Sequence, residues 1–262
     1  MLRSFLLPLA LLLCAATVPS SQVEVHVGPS AAPLGCSVLA SVSNDTNSTL
    51  LIGSIGPIRV FDAAGSEIFF FQALLFVPIP VPAGEAQIYF AWDQRDKQGD
   101  LVPPGTYTME VTLNTSVTTH ALTVGGVDAA VASVGVLRPG LSRNLYLCSP
   151  QDPGGSYLMA ASFTSNAGIA TCAGLVPLDP DPLLVFSTTP GNGVFFDTTG
   201  VLDGVLIPFG AVATGASTAP LVALPNLPGL SGQSFQAAFV VLDPLLPCPI
   251  ARISAATTIP IL

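Results

Sequence analysis

The stretch Tyr89–Leu113, YFAWDQRDKQGDLVPPGTYTMEVTL, decides how this chain is read. It runs from an apolar strand ending in the only Trp, through a charged turn and a Pro-Pro-Gly corner, into an alternating strand. Tyr107, Met109, Val111 and Leu113 alternate with Thr108, Glu110 and Thr112. Period two is the mark of a strand with one buried face. Pro103 and Pro104 have no N–H to give a ladder, so they close the turn, and Gly105 supplies the permissive backbone at the corner. The charges between Asp93 and Gly99 belong at solvent, and Trp92 reads as a core residue at a strand end.

The same alternation extends through the first half. Short apolar and β-branched runs at Val23–Val27, Ser37–Val42, Leu50–Ile52, Ile58–Phe61 and Glu67–Phe71 precede the decisive stretch. Gln87–Trp92, Thr106–Leu113 and His120–Val124 complete a series whose count and spacing suit a β-sandwich of immunoglobulin type. Gly125 and Gly126 mark a linker. Beyond it, turn signals such as Asp152-Pro-Gly-Gly, Pro177-Leu-Asp-Pro-Asp-Pro and Pro190-Gly-Asn-Gly separate further strands. These fall at Leu145–Cys148, Tyr157–Phe163, Leu183–Ser187, Gly193–Phe196, Val201–Ile207 and Phe235–Leu242. The expected class is therefore all-β: an immunoglobulin-like sandwich over 21–125, then a second sandwich or barrel-like domain over 126–262.

Half of the residues are hydrophobic and 9% are charged, which excludes a disordered chain. The net charge of -9, with 16 acidic and 7 basic residues, argues against a nucleic-acid partner, since no basic cluster exists to meet phosphates. Residues 1–20 have the form of a secretory signal: Arg3, an apolar run from Phe5 to Ala16, then Val18 and Ser20 before a cleavage point. An exported chain favours disulfides among Cys36, Cys148, Cys172 and Cys248. Three of these lie in the second half, so one pair is expected to be local there, while the other two either bridge the halves or stay free. The uncharged stretch Val205–Leu224 is broken by Pro208, Gly210, Gly215 and Pro220, which predicts strands and turns and no membrane span after signal removal.

Residues 37–113 resemble the immunoglobulin-like domain of the bacterial intracellular proteinase inhibitor family. The likeness rests on Asn44 with Thr46, Val60-Phe-Asp-Ala-Ala-Gly, Pro82-Ala-Gly-Glu, Trp92-Asp, Asp96, Gly99 and Val102-Pro-Pro-Gly-Thr-Tyr. Its last portion is also similar to the immunoglobulin-like module of flagellar hook-capping proteins. Ile68-Phe-Phe-Phe-Gln replaces the tryptophan-rich strand of the inhibitor family, and no inhibitory loop residue carries over. Residues 131–262 resemble a domain of uncharacterised secreted planctomycete-type proteins, through Gly174, Pro177-Leu-Asp-Pro-Asp-Pro-Leu-Leu, Leu227-Pro-Gly-Leu-Ser-Gly-Gln-Ser-Phe-Gln-Ala and Val241-Leu-Asp-Pro.

The search for chemistry returns no catalytic, cofactor or metal residues. His26 and His120 sit on strands, no GxSxG elbow or CxxC pair occurs, and Lys97 lies in a charged turn. Asp93, Asp96 and Asp100 lack the spacing of a calcium loop. A hydrolase would need Asp179, Asp181, Asp197 and Asp203 to converge on one pocket. The expectation is a secreted, non-enzymatic envelope or extracellular protein, structural, adhesive or binding, with a protein or cell-surface polymer as partner. The alternative is a secreted proteinase inhibitor acting through a loop of the first domain.

Overall fold

The computed structural model describes residues 23–52, 55–72, 78–113, 115–205 and 213–262, so the signal segment at 1–20 lies outside the described residues. In the first half the alternating runs become β1 (Val23–Gly28), β2 (Ala31–Ala32), β3 (Val38–Asn44), β4 (Leu50–Ile52) and β5 (Ile55–Phe61). They continue as β6 (Glu67–Phe71), β7 (Ile79–Val81), β8 (Ala86–Trp92), β9 (Gly105–Leu113) and β10 (Ser116–Val124). Sheet β1-β3-β8 packs against sheet β2-β10-β9-β5-β6, while β4 and β7 pair separately. Between the two sheets Val38, Ala40 and Val42 of β3 meet Tyr107, Met109 and Val111 of β9. Trp92 is fully buried there, and its indole N–H donates to the Arg95 carbonyl at 2.8 Å. The Tyr107 hydroxyl donates to the Pro103 carbonyl at 2.5 Å, which fixes the Pro-Pro-Gly corner to the strand it starts.

The second half has β11 (Ala130–Ser133), β12 (Ser142–Cys148), β13 (Ser156–Ser162), β14 (Ile169–Thr171), β15 (Gly174–Val176) and one short helix, α1 (Pro182–Thr188). Then follow β16 (Phe195–Phe196), β17 (Thr199–Val201), β18 (Ala216–Ser217), β19 (Leu221–Ala223), β20 (Ser234–Leu242), β21 (Ile250–Ile253) and β22 (Thr257–Pro260). One sheet runs β11-β12-β19-β16 with β18 also on β12; the other runs β17-β13-β20-β21 with β22 also on β20. The core between them draws Leu145 and Leu147 from one sheet and Tyr157, Met159, Phe235, Ala237 and Phe239 from the other. The Leu183–Ser187 run, expected as a strand, is instead the centre of α1. The Asp181 side chain caps the helix by accepting from Leu184 N–H at 2.9 Å, and Pro182 follows at the first helical turn. Local capping therefore overrides the β-propensity of a short apolar run.

The glycine pair expected as a linker is a bend with both residues at positive φ. Gly125 N–H donates to the Ala32 carbonyl at 2.8 Å, and Ala129 already belongs to the second core. The halves then press together. On β1, Val23, Val25 and Val27 pack on the first core, so Glu24, His26 and Gly28 point the other way, toward the second half. A third apolar layer forms there from Cys36, Leu39, Ala132, Val134, Tyr146 and Cys148. The Cys36–Cys148 disulfide spans this layer, whereas Cys172–Cys248 is local to the second half. Gly135 lies so close to β3 and β8 that an added Cβ would overlap Ser43 and Ala86, at a φ of +84° that L side chains rarely adopt. Among the described residues, four sheets thus stack with three apolar layers between them.

His26 lies within this inter-half layer, with its Nε2 3.3 Å from Ser133 Oγ. Burial, and then the neighbouring His120, lower its pKa from 6.5 to about 4. The unfolded chain therefore binds the proton more tightly than the folded one. Stability is complete above pH 6.5 and falls as the pH drops toward 4, by roughly 1.4 kcal/mol per unit at most. Urea titrations at pH 7 and pH 4.5 should differ by on the order of 2–3 kcal/mol, and the His26→Gln variant should lose most of that slope. An unchanged slope in the variant would assign the effect elsewhere.

Candidate functional site

The outer face of the β13/β20 sheet is the part of the second half that its own core does not use. Tyr157, Met159 and Ala161 of β13 and Ala237, Phe239 and Val241 of β20 point into the core. Alternation turns Leu158, Ala160, Ala238 and Val240 to the opposite side. Ala160 stands opposite Ala238 and Leu158 opposite Val240 in the antiparallel register. These four form the floor of a groove of about 380 Å³. One wall is the β14–β15 hairpin, through Ile169 and Val176; the other is α1, through Leu184 and Val185. Ile250 closes one end, Thr171, Thr188 and Thr189 stand at the rim, and no charged side chain lines the groove.

The helix that makes this wall is built inside out. Its one buried residue is Ser187, while Val185 is 66% exposed and Phe186 is exposed as well. β17 pairs with β13 only over Ser156–Leu158, which leaves the following stretch of that edge open. The Ser187 hydroxyl fills the place of a strand partner: it accepts from Ala161 N–H at 2.9 Å and donates toward the Ala161 carbonyl at 3.2 Å. Ser254 does the same where β21 gives way to β22, with its hydroxyl accepting from Phe239 N–H at 2.8 Å. Because Ser187 is pinned to the sheet, the apolar side chains of α1 remain outside as a ridge. Beyond the ridge lies a second apolar hollow of about 250 Å³, lined by Phe163, Leu183, Phe186, Phe195 and Leu227. Ser187→Ala should leave the buried Ala161 N–H without an acceptor and cost about 1–3 kcal/mol in denaturant unfolding. Unchanged stability would show that the hydroxyl does not hold the helix in place.

Of the four aspartates a hydrolase would need to bring together, Asp179 and Asp181 organise this region instead. The Asp179 carboxylate accepts from the Thr164 hydroxyl and from the N–H groups of Gly168, Ala167 and Asn166. Those donors hold its carboxyl well below the usual carboxylate range. Asp181 caps α1 and also accepts from Phe163 N–H at 2.6 Å. Asp197 and Asp203 lie elsewhere, near Tyr157, whose hydroxyl donates to the Asp197 carbonyl at 3.0 Å. Among the described residues no group of three or more His, Cys, Asp or Glu gathers as a metal site. The charged turn after Trp92 is closed on itself: Asp96 Oδ1 accepts from Gln98 and Asp100 N–H, Arg95 donates to the Gly99 carbonyl, and Lys97 pairs with Glu67 at 2.8 Å.

Of the motifs singled out in the sequence, only Pro177-Leu-Asp-Pro-Asp-Pro-Leu-Leu reaches the groove, through Leu178 and Leu184. The groove's signal was present, however, in β13 and β20, SYLMAAS and SFQAAFVVL, which are apolar on both faces and not only on alternate residues. A strand apolar on both faces needs a cover on each.

No known protein family and no curated protein matches this chain. Among solved structures, it aligns with an alkylpurine DNA glycosylase of Pseudomonas fluorescens at 15% identity and a TM-score of 0.27, over 39% of this chain and 30% of the other. A transglutaminase of red sea bream aligns at 11% identity and a TM-score of 0.31, over 92% of this chain and 31% of the other. The chain thus spans less than a third of the length of either protein.

Proposed function

We propose that this chain is an exported, non-enzymatic β-protein of the cell envelope or extracellular space, and that it works as a binding or structural module through the apolar face around α1. The observation that carries the reading is an uncharged groove on the outside of a sheet, beside exposed Val185 and Phe186. Contiguous exposed apolar surface of this kind marks contact sites. The lining favours a protein surface over a polar cell-surface polymer, because it holds no charged side chain and its Thr171, Thr188 and Thr189 hydroxyls already donate to backbone carbonyls. Two disulfides suit an oxidising compartment. No helix among the described residues is long and apolar enough to cross a membrane. For the first half, the facing three- and five-stranded sheets and the tyrosine that bonds back across its corner support an immunoglobulin-like reading.

Nile red fluorescence tests the proposal. The native chain should bind the dye, and Val185→Lys with Leu184→Lys should abolish binding while the far-UV spectrum stays unchanged. Equal fluorescence from the native chain and the double variant would remove the face as the contact site.

A further inference from the structure

We propose that the occupant of this face is a second copy of the same chain, each molecule placing Leu245 in the groove of the other. This rests on the reading of the face as a contact surface. Leu245 is 91% exposed at the tip of the loop between β20 and β21, with Leu246 exposed beside it. The tip is held stiff. Leu245 N–H donates to Asp243 Oδ1 at 2.9 Å, Leu246 N–H to the Asp243 carbonyl at 3.2 Å, and Asp243 N–H to the Pro249 carbonyl at 3.0 Å. Pro244, Pro247 and Pro249 fix further backbone angles, and Cys248 ties the loop to Cys172. A side chain carried on a fixed backbone costs less ordering on being covered than one on a mobile loop, which suits an anchor residue.

Knob and hole lie on the same side of the molecule. Ile250, at the end of the loop, closes the groove, and Cys172 follows Thr171 on the groove rim. When both features share one face, a two-fold axis between two copies satisfies both at once and the assembly closes as a dimer; on opposite faces they would propagate a filament. Charge is compatible with the same surface. A chain of net charge -9 repels its copies over most approaches, whereas the groove presents no charged side chain. The one carboxylate at the knob, Asp243, has an oxygen engaged by the Leu245 N–H.

Sedimentation equilibrium of the disulfide-intact chain over a range of concentrations is the test. The native chain should show a monomer–dimer equilibrium. Leu245→Glu, at a site too exposed to disturb folding, should weaken dimerisation by about tenfold or more. Thr188→Arg at the groove rim should do the same, and a mixture of the two variants should recover part of the association through the one intact knob–groove pair. A native chain monomeric at every concentration, or a Leu245→Glu variant that dimerises like the native chain, would overturn the proposal. If the native chain is monomeric but binds Nile red in the groove, only the self-pairing falls; if it also ignores the dye, the contact-face reading falls with it.

Discussion

Replacing Asp45 by alanine should lower the stability of the whole chain by about 3–5 kcal/mol, a fall in melting temperature of roughly 10 °C. Asp45 faces two guanidinium groups across the junction of the halves: Arg138 Nε at 2.5 Å and Arg143 Nη2 at 2.9 Å. The Arg143 side chain is only 1% exposed, and burial lowers its pKa while Asp45 and then Glu85 oppose that shift. Removing Asp45 leaves Arg143 with its bonds to the Gly84 and Ser142 carbonyls but with no paired carboxylate. Arg138 keeps Glu24 at 2.8 Å, so the loss falls mainly on Arg143. Removing the buried cation together with its partner should therefore restore most of the stability, as Asp45→Leu with Arg143→Met. Equal melting temperatures for the native chain and Asp45→Ala would mean that the halves are not joined through this contact.

The second large effect belongs to the disulfide between the halves. Cys36 and Cys148 are 112 residues apart in sequence, and both are fully buried. In the chain-entropy account a crosslink of that span contributes about 4–5 kcal/mol, so Cys36→Ala with Cys148→Ala should lose that amount in guanidinium unfolding. Cys172–Cys248 lies at the surface, with Cys172 exposed. Mild reduction of the folded chain followed by alkylation should therefore modify Cys172 and Cys248 and spare the other pair. Peptide mapping that finds Cys36 or Cys148 alkylated first would contradict the buried junction.

The first half was legible where, as in β9, one face of a strand is buried and the other is not, whereas β3 is buried along its whole length. β9 alternates residue by residue, and β4 and β6 match the expected runs at both ends. β2 has only two residues, and β7 carries Pro80, so neither offers a periodic signal. The α1 segment misled for a different reason. Its helix depends on Asp181 reaching Leu184 N–H and on Ser187 reaching a strand 26 residues away, and only the first of these is local. The junction was illegible in the same way. Glu24, His26 and Ser43 have the polar alternation of a solvated face, yet they meet the second half. The local cysteine pair was expected; its members, Cys172 and Cys248, and the bridging of Cys36 to Cys148 required the packed sheets.

The central claim is that the apolar face around α1 is covered when the protein is at work. Carbene footprinting of the native chain along a dilution series measures that coverage directly. Self-pairing predicts that labelling of Val185, Phe186 and Leu245 falls as concentration rises, while Val117, exposed on β10 in the first half, stays constant. Labelling of Val185, Phe186 and Leu245 that stays as constant along the dilution series as that of Val117 would contradict self-pairing.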